Sequence, residues 1–326
     1  MKKIFITGGA GYVGSRLVPR LLTLGHMVTV YDLMIYGENV LEDHVNLKKI
    51  KGDIRDIDLV DKNLKGHDVI IHLACISNDP SFELNPKLGK SINLDAFEPI
   101  VKSSVKNRLN QFIYASSSSV YGIKKEKNVT EDMLLEPLTD YSKFKGDCEK
   151  ILNKYSSDDF ITTTIRPSTV CGYANRQRLD LVVNILTNHA FHNRVIKVFG
   201  GEQLRPNVHI EDMVDSYLAV INAHHKKINS QIFNVGYKNQ TVNELAKDVV
   251  DVIGNDVKII KSESDDNRSY HVSSLKIKEI LNFETKYTIK DAVSDLKKAF
   301  EKKFLTNTFE NEFFFNIKRM NSINLR

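Results

Sequence analysis

The chain has 326 residues, 41% of them hydrophobic and 27% charged, with a formal net charge of +5. That length buries a sizeable core as one large or two closely joined domains, and lysines alternating with acids over a small net charge exclude a nucleic-acid stripe. No apolar run approaches the ~18 residues needed to span a bilayer, and the apolar stretch after Lys2 and Lys3 is too short for a signal-peptide core, so a cytoplasmic protein without a membrane partner is expected. The three cysteines, Cys75, Cys148 and Cys171, are scattered and odd in number. Neither a disulfide framework nor a zinc site is indicated, and His72, His209, His224 and His225 lack ligand spacing.

In chain order, short β-branched runs at 3–7, 27–32, 47–52, 68–74, 111–117 and 160–166 predict strands. Helical patterns at 12–24, 56–63, 84–105 and 141–154 lie between them. Such alternation is the form of a parallel sheet wound with helices, and runs such as Val69-Ile70-Ile71 suggest strands covered on both faces. Beyond Pro167 the pattern predicts helices at 181–190 and 211–224, strands at 195–199 and 231–235, and helices at 241–253 and 289–304. The expected fold is therefore α/β: a Rossmann-type doubly wound parallel sheet with a smaller, mostly C-terminal α/β substrate-binding domain. Its expected bounds are 1–168 with a returning segment 208–236 for the first, 169–207 and 237–304 for the second, and 305–326 as a tail. The tail keeps Phe313, Phe314 and Phe315 amid polar residues, and packing on the body or on a partner are both open.

Between the first strand and first helix stands Gly8-Gly-Ala-Gly11-Tyr12-Val13-Gly14. Glycines there permit a tight turn and close approach to a pyrophosphate, while the helix N-terminus offers N–H donors and positive dipole. Asp32, closing the second strand, is placed to accept hydrogen bonds from a ribose diol and to repel a 2′-phosphate. No Arg or Lys immediately follows it, so NAD is expected over NADP. Downstream, Tyr141 and Lys145 are spaced i, i+4 and share a helix face, which lets the ammonium favour the phenolate. Because a phenol of pKa near ~10 is a poor base at neutral pH, taking a proton from a sugar hydroxyl needs that shift. The serine run Ser116 to Ser119 closes a strand upstream of the pair.

Together these motifs, with Gly52-Asp53-Ile54, His72-Leu73-Ala74, Asn93, Val120-Tyr-Gly122 and Arg166-Pro167, resemble the extended short-chain dehydrogenase/reductase family. The likeness is to its NAD-dependent nucleotide-sugar epimerase/dehydratase branch, that of UDP-glucose 4-epimerase, and runs to about Phe304. It implies Asp53 and Ile54 at the adenine, Leu73, Ala74 and Pro167 along the cofactor, and Lys145 on the nicotinamide ribose. Tyr141 and Ser117 would share the substrate's 4-OH, with Asn93 mainly structural. Ser118 and Ser119 would bind substrate, Arg205 and Arg268 would grip its diphosphate, and no metal is implied. A guanidinium suits that last task through its bidentate fork. The resemblance also implies a homodimer in which the helices containing Asn93 and Tyr141 form a four-helix bundle.

Dehydratases of this branch carry Asp-Glu where this chain has Ser118-Ser119, and hydroxyls cannot replace that acid/base pair. Epimerisation at C4 through a 4-keto intermediate is therefore the leading expectation, and the resemblance of the segment Arg176-Gln-Arg-Leu-Asp-Leu-Val-Val-Asn184 and the loop Ser77-Asn-Asp-Pro80 to polysaccharide-pathway relatives implies a part in making surface-polysaccharide sugars. The alternative is a hexose or heptose C4-dehydrogenase that releases the ketone. A 4,6-dehydratase and a non-enzymatic NAD sensor are disfavoured.

Overall fold

The computed structural model describes residues 1–126, 128–263, 269 and 271–326. The first half alternates β1 (Lys3–Thr7), α1 (Gly14–Thr23), β2 (Met27–Asp32), β3 (Leu47–Lys51), α2 (Ile57–Leu64), β4 (Val69–His72), α3 (Asp79–Glu83), α4 (Pro86–Lys90), α5 (Phe97–Lys106), β5 (Gln111–Ala115), α6 (Asp140–Asn153) and β6 (Ile161–Pro167). The second half contains β7 (Thr169–Cys171), α7 (Val182–Asn193), β8 (Val195–Phe199), β9 (Leu204–His209), α8 (Ile210–Asn222), α9 (His225–Ile228), β10 (Gln231–Val235), β11 (Lys238–Thr241), α10 (Val242–Ile253), β12 (Lys258–Ser262), α11 (Leu275–Leu281), α12 (Ile289–Glu301) and α13 (Asn316–Ser322). A seven-stranded sheet runs β10-β6-β5-β4-β1-β2-β3, and its neighbours pair in parallel throughout.

Period-two alternation divides each central strand between two cores. Ile4, Ile6, Val28, Val30, Val69 and Ile71 face one side, where α1 contributes Leu17, Val18 and Leu21. Phe5, Ile70 and Phe112 face the other, against Phe97 and Ile100 of α5. Each such side chain stabilises the fold by roughly 1.5–3 kcal/mol. The second lobe closes its own core with Val183, Leu186, Val198, Leu245, Val249 and Val293, beneath a three-stranded β11-β9-β7 sheet and the β12-β8 pair.

The helix expected over 84–105 is broken into pieces. Asn78 and Asn85 cap α3 and α4 by accepting from the N–H of Ser81 and Leu88, and a proline lies in the first turn of each. Both features favour helix starts. A π-helical turn, Ser91–Asp95, then leads to α5. Strands β7, β9, β11 and β12 were not expected, because segments such as Lys-Asn-Gln-Thr in β11 become strands through a partner's ladder and not through apolar alternation. The tail packs back on the body: Phe314 joins Leu296 and Phe300 of α12, and Met320 joins the core that holds Phe5 and Tyr31.

Candidate active site

The order of strands reverses between β1 and β4, and in open α/β sheets ligands bind at the carboxyl ends of strands beside such a switch point. A cleft of about 520 Å³ opens there. Gly8 has φ of +73°, and a Cβ on it would lie 2.5 Å from the Ala74 nitrogen, so only glycine lets the loop after β1 rest on the loop after β4. At Gly14 a Cβ would lie 2.3 Å from the Gly9 oxygen, which holds α1 tight against the turn. Helix α1 has no side-chain cap and no acid in its first turn, and Gly11, Tyr12 and Val13 line the cleft at that end. An uncapped helix N-terminus on a cleft wall is an anion site.

Asp32 stands at the end of β2, where its carboxylate accepts from the N–H of Ala10 (3.0 Å) and of Met34 (2.8 Å). Burial raises its pKa, against those two donors and the Arg176 guanidinium. The acid thus also fixes the glycine loop, a structural task that the ribose reading did not include. Asp53, Ile54, Leu73, Ala74 and Pro167 line the same cleft. The uncapped helix, the glycine turn and the acid suit a dinucleotide, and the residue after Asp32 is Leu33, which suits NAD. Tyr12 does more than line the loop. Its hydroxyl donates to the Gly172 carbonyl (2.6 Å) and accepts from Asn184 Nδ2 (3.0 Å), joining the glycine loop to the second lobe.

Thr139 starts α6, its hydroxyl accepting from the Ser142 N–H, and so aims Tyr141 and Lys145 into the cleft. Lys145 Nζ donates to the Ala115 carbonyl (2.6 Å) and lies 5.9 Å from the centre of the Tyr141 ring. Burial raises the Tyr141 phenol above its ordinary value; the Lys145 ammonium is the strongest influence in the other direction. The expected effect of the lysine is present, but burial outweighs it. Lys145 is itself held above the ordinary lysine value: burial opposes its charge, and Cys75 and Tyr141 more than offset that.

Ser117 caps the 3₁₀ turn Ser118–Tyr121. Its hydroxyl lies 2.8 Å from that of Ser119, which accepts from Ser142 (2.7 Å). Ser142 lies 3.1 Å from the Thr139 hydroxyl, and Thr139 donates to Asp79 (2.5 Å). This chain of hydroxyls fixes the rotamer of Ser117 while leaving it on the cleft wall with Ser118 and Ser119. Asn93 both accepts from and donates to the backbone of Ile76, tying down the loop after β4. Cys148 is buried with its thiol on the Asn93 carbonyl, a packing position.

Arg205 lines the cleft from β9, while Arg268 lies outside the described residues. Sequence analysis gave no role to Tyr36 and Asn316 and marked Arg176 and Arg178 only as part of a segment like that of polysaccharide-pathway relatives, yet all four line the cleft. It also passed over Glu149, which forms a two-pronged ion pair with Arg166 in the interior. The helical i+4 spacing from Lys145 was the only signal available for Glu149. Among the described residues no group of His, Cys, Asp or Glu could hold a metal ion, and no helix is long and apolar enough to cross a membrane.

A doubly wound parallel sheet with a glycine turn, a β2 acid and a Tyr/Lys/Ser cluster in one cleft defines an extended short-chain dehydrogenase/reductase. The sequence profile of the NAD dependent epimerase/dehydratase family matches residues 4–236, and the chain belongs to that family, whose cofactor is NAD. It is 28% identical over 272 residues to a UDP-glucose 4-epimerase of Lactobacillus helveticus, covering 77% of this chain and 82% of that protein. Two crystal structures share the fold. One is the UDP-glucose 4-epimerase of Thermotoga maritima with UDP-glucose (TM-score 0.84, 24% identity, 93% of this chain and 100% of that one). The other is the dTDP-glucose 4,6-dehydratase of Streptomyces venezuelae with NAD bound (TM-score 0.84, 20% identity, 95% and 99%).

Proposed function

We propose that the protein is an NAD-dependent nucleotide-sugar 4-epimerase that works through a 4-keto intermediate, as a cytoplasmic homodimer making sugars for surface polysaccharide. Tyr141, as phenolate, takes the proton of the 4-OH, and Lys145 lowers the cost of that phenolate. Ser117, fixed by Ser119, holds the same oxygen. Bound NAD supplies the hydride acceptor for C4 and, once reduced, the donor. When the ketone turns over in the cleft, Tyr141 returns the proton to the oxygen on the new face. Glycine loop, α1 N-terminus, Asp32, Asp53 and Ile54 hold the cofactor; Ser118, Ser119 and Arg205, with Arg268, hold the substrate. Ser118 and Ser119 carry no acid, which argues against 4,6-dehydration.

The observation that favours epimerisation over release of the ketone is the tail packed along the cleft beside Asp53. Asn316 and Met320 line that cleft, and Arg55, two residues from Asp53, donates to the main-chain oxygen of Arg326 (2.8 Å). An epimerase re-uses one cofactor in every turnover, whereas a dehydrogenase must exchange it. A tail packed beside Asp53 suits the first. The test is incubation with a panel of UDP-, dTDP- and GDP-sugars followed by NMR. A C4 epimer without net NADH is expected; accumulation of a ketone with reduced cofactor would replace the epimerase by the dehydrogenase, and a 6-deoxy-4-keto product would replace both by the dehydratase.

A further inference from the structure

Three arginines are buried among the described residues: Arg166, Arg176 and Arg178. Glu149 pairs with the first and Asp180 with the third. Arg176, 3% exposed, has no carboxylate partner among the described residues, and its Nε is buried without an acceptor. The guanidinium is nevertheless held firmly. It lies 3.6 Å from the centre of the Tyr36 ring, one Nη donates to Asn316 Oδ1 and the other to the Gln177 carbonyl (3.4 Å). Tyr36 donates to the same Asn316 oxygen (3.0 Å), and Asn316 Nδ2 donates to Ser77 (3.0 Å). A tail residue therefore sets the orientation of an arginine that the body of the protein leaves without a direct ion pair, the Asp180 and Asp32 carboxylates acting on it only from farther off.

Burying an unpaired cation costs several kcal/mol, and that cost is offset when an anion arrives. Burial accordingly lowers the Arg176 pKa to about 10. The residue lines the main cleft, and its backbone N–H donates to Ser15 Oγ (3.2 Å) in the first turn of α1. The cation and the helix N-terminus thus lie on adjoining walls. Both are suited to one ligand chemistry, a diphosphate diester, which the guanidinium fork matches.

We propose that Arg176 is a diphosphate clamp, oriented by Asn316 of the tail and Tyr36, that closes the cleft over the diphosphate of a bound nucleotide. Its contact with the first turn of α1 makes the cofactor's diphosphate the source, the nucleotide sugar's being the other. The proposal rests on dinucleotide binding in this cleft and not on the epimerase reading, and it is tested without turnover.

The full chain, stripped of cofactor, is titrated calorimetrically with NAD, and the NAD-loaded protein with UDP; melting temperatures are measured before and after NAD. Arg176→Gln should weaken NAD about 10- to 100-fold, the range for a charged hydrogen-bonded contact, and leave UDP unchanged. Its melting temperature without NAD should hold or rise, because an uncompensated charge is gone. Asn316→Asp, which hands the guanidinium a carboxylate, should likewise raise that melting temperature and weaken NAD. Weakened UDP binding with NAD unchanged would overturn the cofactor assignment and move the clamp to the sugar nucleotide. A folded variant in which neither ligand moves would overturn the clamp, as would a lowered melting temperature with unchanged affinities. Should Arg176→Gln not fold, Arg176→Lys keeps the charge without the fork and should lose part of the NAD affinity; wild-type affinity there would overturn the proposal.

Discussion

Replacing Lys145 with methionine removes a buried ammonium 5.9 Å from the centre of the Tyr141 ring. At an effective dielectric constant of about 20, a unit charge at that distance is worth about 2.8 kcal/mol to the phenolate, a factor of about 100 in its population. Burial already holds the Tyr141 phenol above its ordinary value, with Lys145 the strongest opposing influence. In the proposed mechanism Tyr141 acts as phenolate, so a higher pKa empties the active form at neutral pH, and activity should rise with pH until the new pKa is reached. Lys145→Met should therefore lower kcat at pH 7 about 100-fold and move the alkaline-rising limb of the kcat profile to higher pH. Ultraviolet difference titration of the phenolate reads the same shift without substrate, which separates it from any effect on the cofactor ribose. The variant also leaves the Ala115 carbonyl without its donor, costing about 1–3 kcal/mol of stability. A phenolate titration that stays at its wild-type position in a folded variant would show that Lys145 does not hold the phenol's pKa down.

Asp32→Ala should weaken NAD by about 10- to 100-fold and narrow its preference over NADP, since carboxylate hydrogen bonds to a diol and repulsion of a 2′-phosphate both disappear. Affinities for NAD and for NADP that both stay at their wild-type values would remove the ribose role. Glu149→Gln breaks the Arg166 pair, whose side chains are 3% and 4% exposed. It should cost about 3–5 kcal/mol in denaturant unfolding while leaving NAD affinity alone, and a loss under 1 kcal/mol would show the pair to be dispensable.

Much of the main sheet was legible because buried parallel strands write their position as apolar runs: Ile4 to Ile6 and Val69 to Ile71 are such runs. The glycine turn and Asp32 were legible because a tight turn and a strand-end acid are local features. Polar strands such as β9 and β11 were not, since a distant ladder partner makes them strands. The late start of α4 was readable in Asn85-Pro86, and the short helix before it in Asn78-Asp79-Pro80, but periodicity over 84–105 concealed both.

The sequence alone determined the chemistry available at the site. Tyr141, Lys145, Ser117 and the glycine loop are placed by short-range spacing on helices, turns and strand ends, and the serines at 118 and 119 decide which side chains are absent there. Only the tertiary structure decided the balance of forces on them. Burial of Tyr141 outweighing Lys145, Asp32 fixing its own loop and a buried guanidinium at Arg176 without a direct ion pair depend on what packs around each group. So does the placement of Asn316, 140 residues from Arg176 in the chain. Desolvation and long-range hydrogen bonds are properties of assembled surroundings, and no local pattern encodes them.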